Sequence, residues 1–287
     1  MALNRQKTEQ LPDLSHNTVS FIGGGNMAAS LISGLVADGH NPKHILVSDP
    51  DSDKLAALAA RYGIQAADNA TAVSRADILI LAVKPQVLQA VAHELAPAVQ
   101  ERRPLTISIA AGVRGGDIDA WLGGRIALVR AMPNTPAMIQ AGATVLFATP
   151  RVSAEQRSQA ESILRAVGLT RWVGDEGLMD AVTALSGSGP AYFFLMMEAM
   201  EQAGVELGIP AETARLLTLQ TALGAARMAI ESSDGPARLR QKVTSPGGTT
   251  ERALGILEQG GLRDLFSSAL TGARDRSIEL SDMLGAK

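Results

Sequence analysis

The chain has 287 residues, 46% of them hydrophobic, so it can bury a sizeable core and is longer than one ordinary domain. A net charge of −3 and only nine aromatic residues leave no basic footprint and few platforms for stacking bases, which argues against a nucleic-acid partner. Cysteine is absent, which excludes disulfides, thiolate nucleophiles and thiolate metal sites; the four histidines, His16, His40, His44 and His93, show no ligand spacing, so no metal site is expected.

Residues 1–17 are polar and mixed in charge and read as a solvated tail, and the composition suits a reducing cytoplasm. The uncharged stretches 20–37 and 181–197 are interrupted at 23–26 and 186–190, so neither is expected to span a membrane. Residues 18–49 read as strand, glycine turn, helix and second strand, with Gly23, Gly25 and Ala28 spaced as G-x-G-x-x-A. That spacing suits a dinucleotide pyrophosphate, because glycines permit the sharp turn and close phosphate approach while Ala28 lets helix and sheet pack. The helix predicted from Asn26 aims its positive end at the phosphates, and Asp49 stands 24 residues after Gly25, where a carboxylate can meet a ribose.

The alternation continues with a helix near 52–62, a short strand near Ile64, a strand at 77–83, a helix at 86–99, and strands at 105–109, 126–132, 142–148 and 169–173. Ser153 and Gln156 make a capping box before the helix that joins the last two strands. This rhythm predicts a doubly wound parallel sheet, with segments 82–85, 110–112 and 133–136 at strand ends where ligands lie. After Gly174 no alternating strands remain, only helical segments broken by Gly and Pro. The domain expectation is therefore an α/β dinucleotide-binding domain over 18–174 and an all-helical domain over 175–287. The segment 213–228 is apolar on nearly every side and must be enclosed, which predicts an obligate dimer.

In the second half, V-T-S-P-G-G-T-T at 243–250 leads into a helix expected to begin near Glu251 and has the look of an anion cradle sized for a carboxylate. The same half holds no histidine, and its only lysines are Lys242 and Lys287. A nicotinamide enzyme acting on an alcohol or ketone needs a strong proton shuttle, so either Lys84 supplies it or the substrate brings its own proton. A cyclic imine fits the second case, since its nitrogen is protonated before hydride arrives.

Taken together, G-G-G-N-M-A at 23–28, A-V-K-P at 82–85, A-A-G at 110–112, M-P-N-T-P at 132–136, S-G-S-G-P-A-Y at 186–192 and V-T-S-P-G-G-T-T resemble pyrroline-5-carboxylate reductases, in the same order and nearly to the C-terminus. The resemblance implies the last step of proline biosynthesis, in which NADPH or NADH gives hydride to the C=N carbon of 1-pyrroline-5-carboxylate to form L-proline. It also implies a Rossmann-type domain followed by an all-α substrate-binding and dimerisation domain, as a homodimer often assembled into larger rings. It assigns the dinucleotide to Ile22, Gly23, Gly25, Asn26, Met27 and Ala28, to Ser48, Asp49 and Asn69, to Ala82, Val83, Lys84 and Pro85, and to Ala110, Ala111 and Gly112. It assigns the substrate carboxylate to Ser245, Gly247, Gly248 and Thr249, and the ring nitrogen to Thr250, which it implies is the catalytic residue.

One position departs from the pattern of some relatives, which carry Ser where this chain has Asp49. A carboxylate there favours a free 2′-hydroxyl and repels a 2′-phosphate, so NADH is expected to serve at least as well as NADPH unless Ser48, Lys54 or Arg61 offsets it. The alternatives are a related imine reductase, a 3-hydroxyacid-type dehydrogenase, which the lysine census disfavours, and a non-catalytic dinucleotide sensor.

Overall fold

A computed structural model describes residues 12 and 14–285; most of the expected tail, and Lys287, lie outside the described residues. The described residues divide into two compact units, one formed by Gly189–Leu270 and the other by residues 12 and 14–188 together with 271–285.

The larger unit is built on an eight-stranded sheet in the order β3-β2-β1-β4-β5-β6-β7-β8. Its first half comprises β1 (Val19–Ile22), α1 (Asn26–Ala37), β2 (Ile45–Ser48), α2 (Ser52–Tyr62), β3 (Gln65–Ala66), α3 (Asn69–Arg75) and β4 (Ile78–Leu81). Then follow α4 (Pro85–Arg102), β5 (Leu105–Ser108), α5 (Gly115–Trp121), β6 (Leu128–Met132), β7 (Gly142–Ala148), α6 (Ala154–Arg165), β8 (Gly168–Trp172) and α7 (Leu178–Val182). The sequence pattern passed over α3 and α5, both of seven residues and too short to show a clear apolar period.

The central strands are buried on both faces, as a parallel sheet covered by helices requires. Period-two alternation sends Phe21, Ile78 and Ile80 into one cluster with Leu31 and Leu35 of α1 and Ile163 and Leu164 of α6. Ile22, Leu79 and Leu81 enter the other, with Val73 of α3, Leu88 and Leu95 of α4 and Ile118 of α5. Gly34 shows how close one contact is: a Cβ there would stand 2.5 Å from the Ala166 carbonyl oxygen.

The expectation of a parallel sheet holds through β6 and fails at β7, which pairs antiparallel with β6, while β8 runs parallel to β7. Met132 and Gly142 are joined by a short connection containing one 3₁₀ turn, Thr135–Ile139, too little chain for the crossover that a parallel neighbour needs. The capping box forms as expected, with Ser153 Oγ accepting the Gln156 N–H and Gln156 Oε1 accepting the Ser153 N–H.

The second unit is helical throughout: α8 (Gly189–Glu206), α9 (Ala211–Glu231), α10 (Pro236–Lys242), α11 (Thr249–Gln259) and the first part of α12 (Leu262–Gly285). In α9 only Ala214 and Thr218 are buried, whereas Leu216, Leu217, Leu223 and Met228 are exposed. Phe193, Phe194 and Leu195 of α8 are exposed as well.

Candidate functional site

The expected dinucleotide residues lie along one edge of the large sheet because the register aligns the strand ends. Ile22 pairs with Ser48 and with Leu81, and Leu81 pairs with Ser108, so these four residues end their strands side by side. Gly23, Asp49, Ala82 and the approach to Ala110 therefore follow at one carboxyl edge, where open α/β sheets receive ligands.

The glycine turn is shaped by its surroundings. Gly23 has φ +100°, and a Cβ there would lie 2.7 Å from the Ala82 carbonyl oxygen, so the neighbouring strand end requires glycine. The Gly24 N–H donates to Asp49 Oδ2 at 2.7 Å, which ties the turn to the end of β2. Gly25 is the N-cap of α1 and contributes no capping side chain; a Cβ there would meet nothing within 4 Å, and the first turn carries no acidic residue. Asn26 and Met27 begin that turn and Ala28 is buried against the sheet. A helix start with no acidic residue in its first turn and open space at its N-cap fits a diphosphate.

Asp49 is more engaged than its sequence position suggested. Besides Gly24 it accepts the Asp51 N–H at 3.0 Å and pairs with Lys54 Nζ at 3.1 Å. Burial alone would push its carboxyl up, but the Gly24 and Asp51 N–H groups and the Lys54 ammonium outweigh that and hold it below its ordinary 3.8. Of the other basic residues weighed, Arg61 instead stacks over the Tyr62 ring. Ser48 Oγ donates to Asn69 Oδ1 at 2.7 Å, and Asn69 Nδ2 donates to Glu94 Oε1 at 2.9 Å, so two of the expected dinucleotide residues form one chain of hydrogen bonds.

Val83, Lys84 and Pro85 turn from β4 into α4, with Lys84 exposed at the N-cap, and Ala110, Ala111 and Gly112 follow β5. Beside them lies a cavity of about 360 Å³ whose lining includes Pro85, Ala111, Gly112, Thr183, Ser188 and Ser277. Thr183 and Ser188 had no assigned role in the sequence. They bracket a single π turn, Thr183–Gly187, in which the Ser188 N–H reaches the Thr183 carbonyl at 2.8 Å. π turns occur often at functional sites. This one is braced by the other unassigned motif: Asn134 Nδ2 donates to the Ser186 carbonyl at 3.3 Å, Asn134 Oδ1 accepts the Ala143 N–H at 2.9 Å, and the Met132 methyl occupies the place a Gly187 Cβ would need. Both strings were visible in the sequence, but 52 residues separate Asn134 from Ser186 and nothing local announces their contact.

The helical unit carries the second expected cradle between α10 and α11. Here the helix starts at Thr249, not near Glu251, with Gly248 as N-cap, so Thr249 and Thr250 form its first turn. The earlier start follows from Gly247, whose φ of +71° ends the preceding turn and delivers an extended Gly248. The Gly248 N–H donates to the Ser245 carbonyl at 3.0 Å, and the Gly247 N–H donates to Glu251 Oε2 at 2.7 Å, a contact the sequence reading missed. Ser245 and Thr249 are exposed and Thr250 is half-buried. Glycines and hydroxyls around a helix start can hold a small anion and orient a hydrogen-bonding ring atom.

With this geometry in view, similarity to known proteins is extensive. The family model for pyrroline-5-carboxylate reductase dimerisation matches residues 176–280, and that described as NADP oxidoreductase, coenzyme F420-dependent, matches residues 18–112. A pyrroline-5-carboxylate reductase of Pseudomonas aeruginosa is 50% identical over 95% of this chain and 100% of its own. The solved structure of one from Coxiella burnetii matches with TM-score 0.89 at 50% identity, covering 92% of this chain and 98% of the other. A Plasmodium falciparum pyrroline carboxylate reductase solved with NADP bound matches with TM-score 0.82 at 26% identity, over 93% and 99% of the two chains. Identity of this degree along nearly the whole of both chains shows that the chain belongs to the pyrroline-5-carboxylate reductase family, NAD(P)H-dependent oxidoreductases.

Proposed function

We propose that this chain reduces 1-pyrroline-5-carboxylate to L-proline, using the sheet edge of one unit for the dinucleotide and the 245–250 turn of the other for the imine acid. What supports the reading is the presence, one in each unit, of two glycine-capped helix starts, α1 suited to a diphosphate and α11 suited to a carboxylate. The dinucleotide, when bound, supplies the hydride for the C=N carbon. Ser245, Gly247, Gly248 and Thr249 hold the carboxylate, and the Thr250 hydroxyl hydrogen-bonds the ring nitrogen and fixes which face of the ring is presented. A protonated imine needs no strong acid from the protein, which agrees with the scarcity of lysine and absence of histidine in the second half. Positioning then accounts for most of the rate enhancement.

The dinucleotide set on this reading is Ile22 to Ala28 around the turn, Ser48, Asp49 and Asn69 on the ribose side, and Ala82 to Pro85 with Ala110 to Gly112 towards the nicotinamide. Lys54 offsets the Asp49 charge. NADH and NADPH therefore serve with comparable efficiency, where an unpaired carboxylate would repel the 2′-phosphate. The exposed apolar faces of α8 and α9 pack against a second copy to make a homodimer, and further assembly into rings and a cytoplasmic location accord with the family. Among the described residues no helix is long and apolar enough to cross a membrane.

The deciding measurement is cofactor oxidation with 1-pyrroline-5-carboxylate, comparing the chain with Thr250→Ala. Loss of one hydrogen bond, costing about 1–3 kcal/mol, lowers kcat/KM by roughly tenfold to a hundredfold. An unchanged value would remove Thr250 from the mechanism, and no turnover by the unaltered protein would remove the reading.

A further inference from the structure

Glu251 folds its side chain back over the turn between α10 and α11, and its Oε2 accepts the Gly247 N–H at 2.7 Å. That amide belongs to the loop read above as the carboxylate cradle. The local geometry leaves other amides without partners of their own. Gly248, as N-cap, has no side chain to accept from the first turn of α11, and a helix supplies no internal acceptor for those groups.

An ordinary capping role does not account for the contact. In a capping box the third helical residue returns to the N-cap amide, here that of Gly248. That amide is already donated to the Ser245 carbonyl at 3.0 Å, and Glu251 reaches one residue further, to Gly247. Glu251 is exposed and makes no ion pair among the described residues; in the same unit Arg240 and Arg263 are both held by Glu258, at 2.8 and 2.7 Å. Its carboxylate thus sits on the cradle for the sake of the backbone N–H, and it is the same chemical group that the substrate would bring there.

We infer that Glu251 is an internal competitor for the substrate's carboxylate, a residue that tunes affinity for carboxylated rings. This rests on the 245–250 turn being the carboxylate cradle. Two carboxylates brought to one N–H weaken each other's hydrogen bond, and their like charges repel without a cation between them. Binding of the acid therefore displaces Glu251 from Gly247, and the displacement lowers the apparent affinity. The cost falls only on ligands carrying the carboxylate; a ring without one leaves Glu251 in place.

The test is steady-state kinetics at saturating cofactor for the unaltered protein, Glu251→Gln and Glu251→Ala, with 1-pyrroline-5-carboxylate and with 1-pyrroline, which lacks the acid. Glutamine retains an acceptor oxygen for Gly247 without the charge, so the turn keeps its support. Both variants are expected to lower KM for the carboxylated ring by about threefold to tenfold, with a smaller change in kcat and with kcat/KM for 1-pyrroline unmoved. Inhibition by L-proline, which carries the same carboxylate, tightens in parallel. A KM for the carboxylated ring that is unchanged or raised, or equal shifts for both rings, would overturn the inference while leaving the cradle intact, provided the unaltered protein prefers the carboxylated ring. If the unaltered protein shows no such preference, the cradle reading itself falls and the inference with it.

Discussion

At the scale of single residues, Asp49 illustrates how a position acquires its properties from its contacts. Its identity suggested discrimination against a 2′-phosphate, yet it braces the Gly24 amide and is paired with Lys54. Replacing Lys54 by Ala leaves the charge unopposed, so KM for NADPH should rise by about tenfold with NADH little affected, as paired kinetics would report. A loss shared equally by both cofactors would mean that Lys54 merely supports the turn. The pH dependence follows in sign from the lowered carboxyl. Its contribution to stability is complete above about pH 3.8 and is lost as pH falls through its lower folded value. From about pH 7 to about pH 9 Asp49 stays ionised, so the ratio of kcat/KM for the two cofactors should vary by less than about twofold. A tenfold swing over that range would show that another group governs the choice.

At the scale of elements, the sheet edge proposed for the dinucleotide depends on how closely helices approach the sheet and one another. Gly34 on α1 is pressed against the chain end of α6, and Gly34→Ala should destabilise the protein by about 1–3 kcal/mol through overpacking, read as a lower midpoint in thermal or denaturant unfolding. Unaltered stability would mean that the two helices can separate without cost. The segment that follows β8 is tied down by polar contacts as well. Glu176 Oε1 accepts from Arg130 Nη1 at 2.7 Å and from the Gly115 N–H at 2.6 Å, joining β6 to the start of α5. In the last part of α12, Ser277 Oγ donates to Asp180 Oδ1 and Arg114 pairs with Asp282. The last two contacts hold α12 beside Gly112, where the cavity opens.

At the scale of the whole molecule, the apolar side chains left exposed on α8 and α9 require cover. Phe193, Phe194, Leu195, Leu216, Leu217 and Leu223 are each more than half exposed in the single chain. An isolated monomer in water rarely exposes so much contiguous apolar surface. Sedimentation at micromolar concentration should therefore find a dimer or a multiple of one, and Leu217→Asp should weaken it, giving smaller or aggregated species. A monodisperse monomer of the unaltered chain would refute the reading.

The sequence by itself determined the long elements and the two glycine turns, because both rest on short-range patterns; the seven-residue α3 and α5 were too short to show. Short apolar runs specify β1 and β4, the G-x-G-x-x-A spacing specifies the turn into α1, and the pair Gly247 and Gly248 specifies a bare helix start. Even the antiparallel β7 was implicit in the short link after Met132, though the rhythm of the preceding strands masked it. Only the tertiary structure decided what distant side chains do: Lys54 neutralises Asp49, Asn134 and Met132 brace the π turn, and Glu251 bends back onto Gly247. The reason is physical. Backbone preference and hydrophobic period act over a few residues, whereas the partner of a charge or a free amide is chosen by whichever group the folded chain brings within about 3 Å.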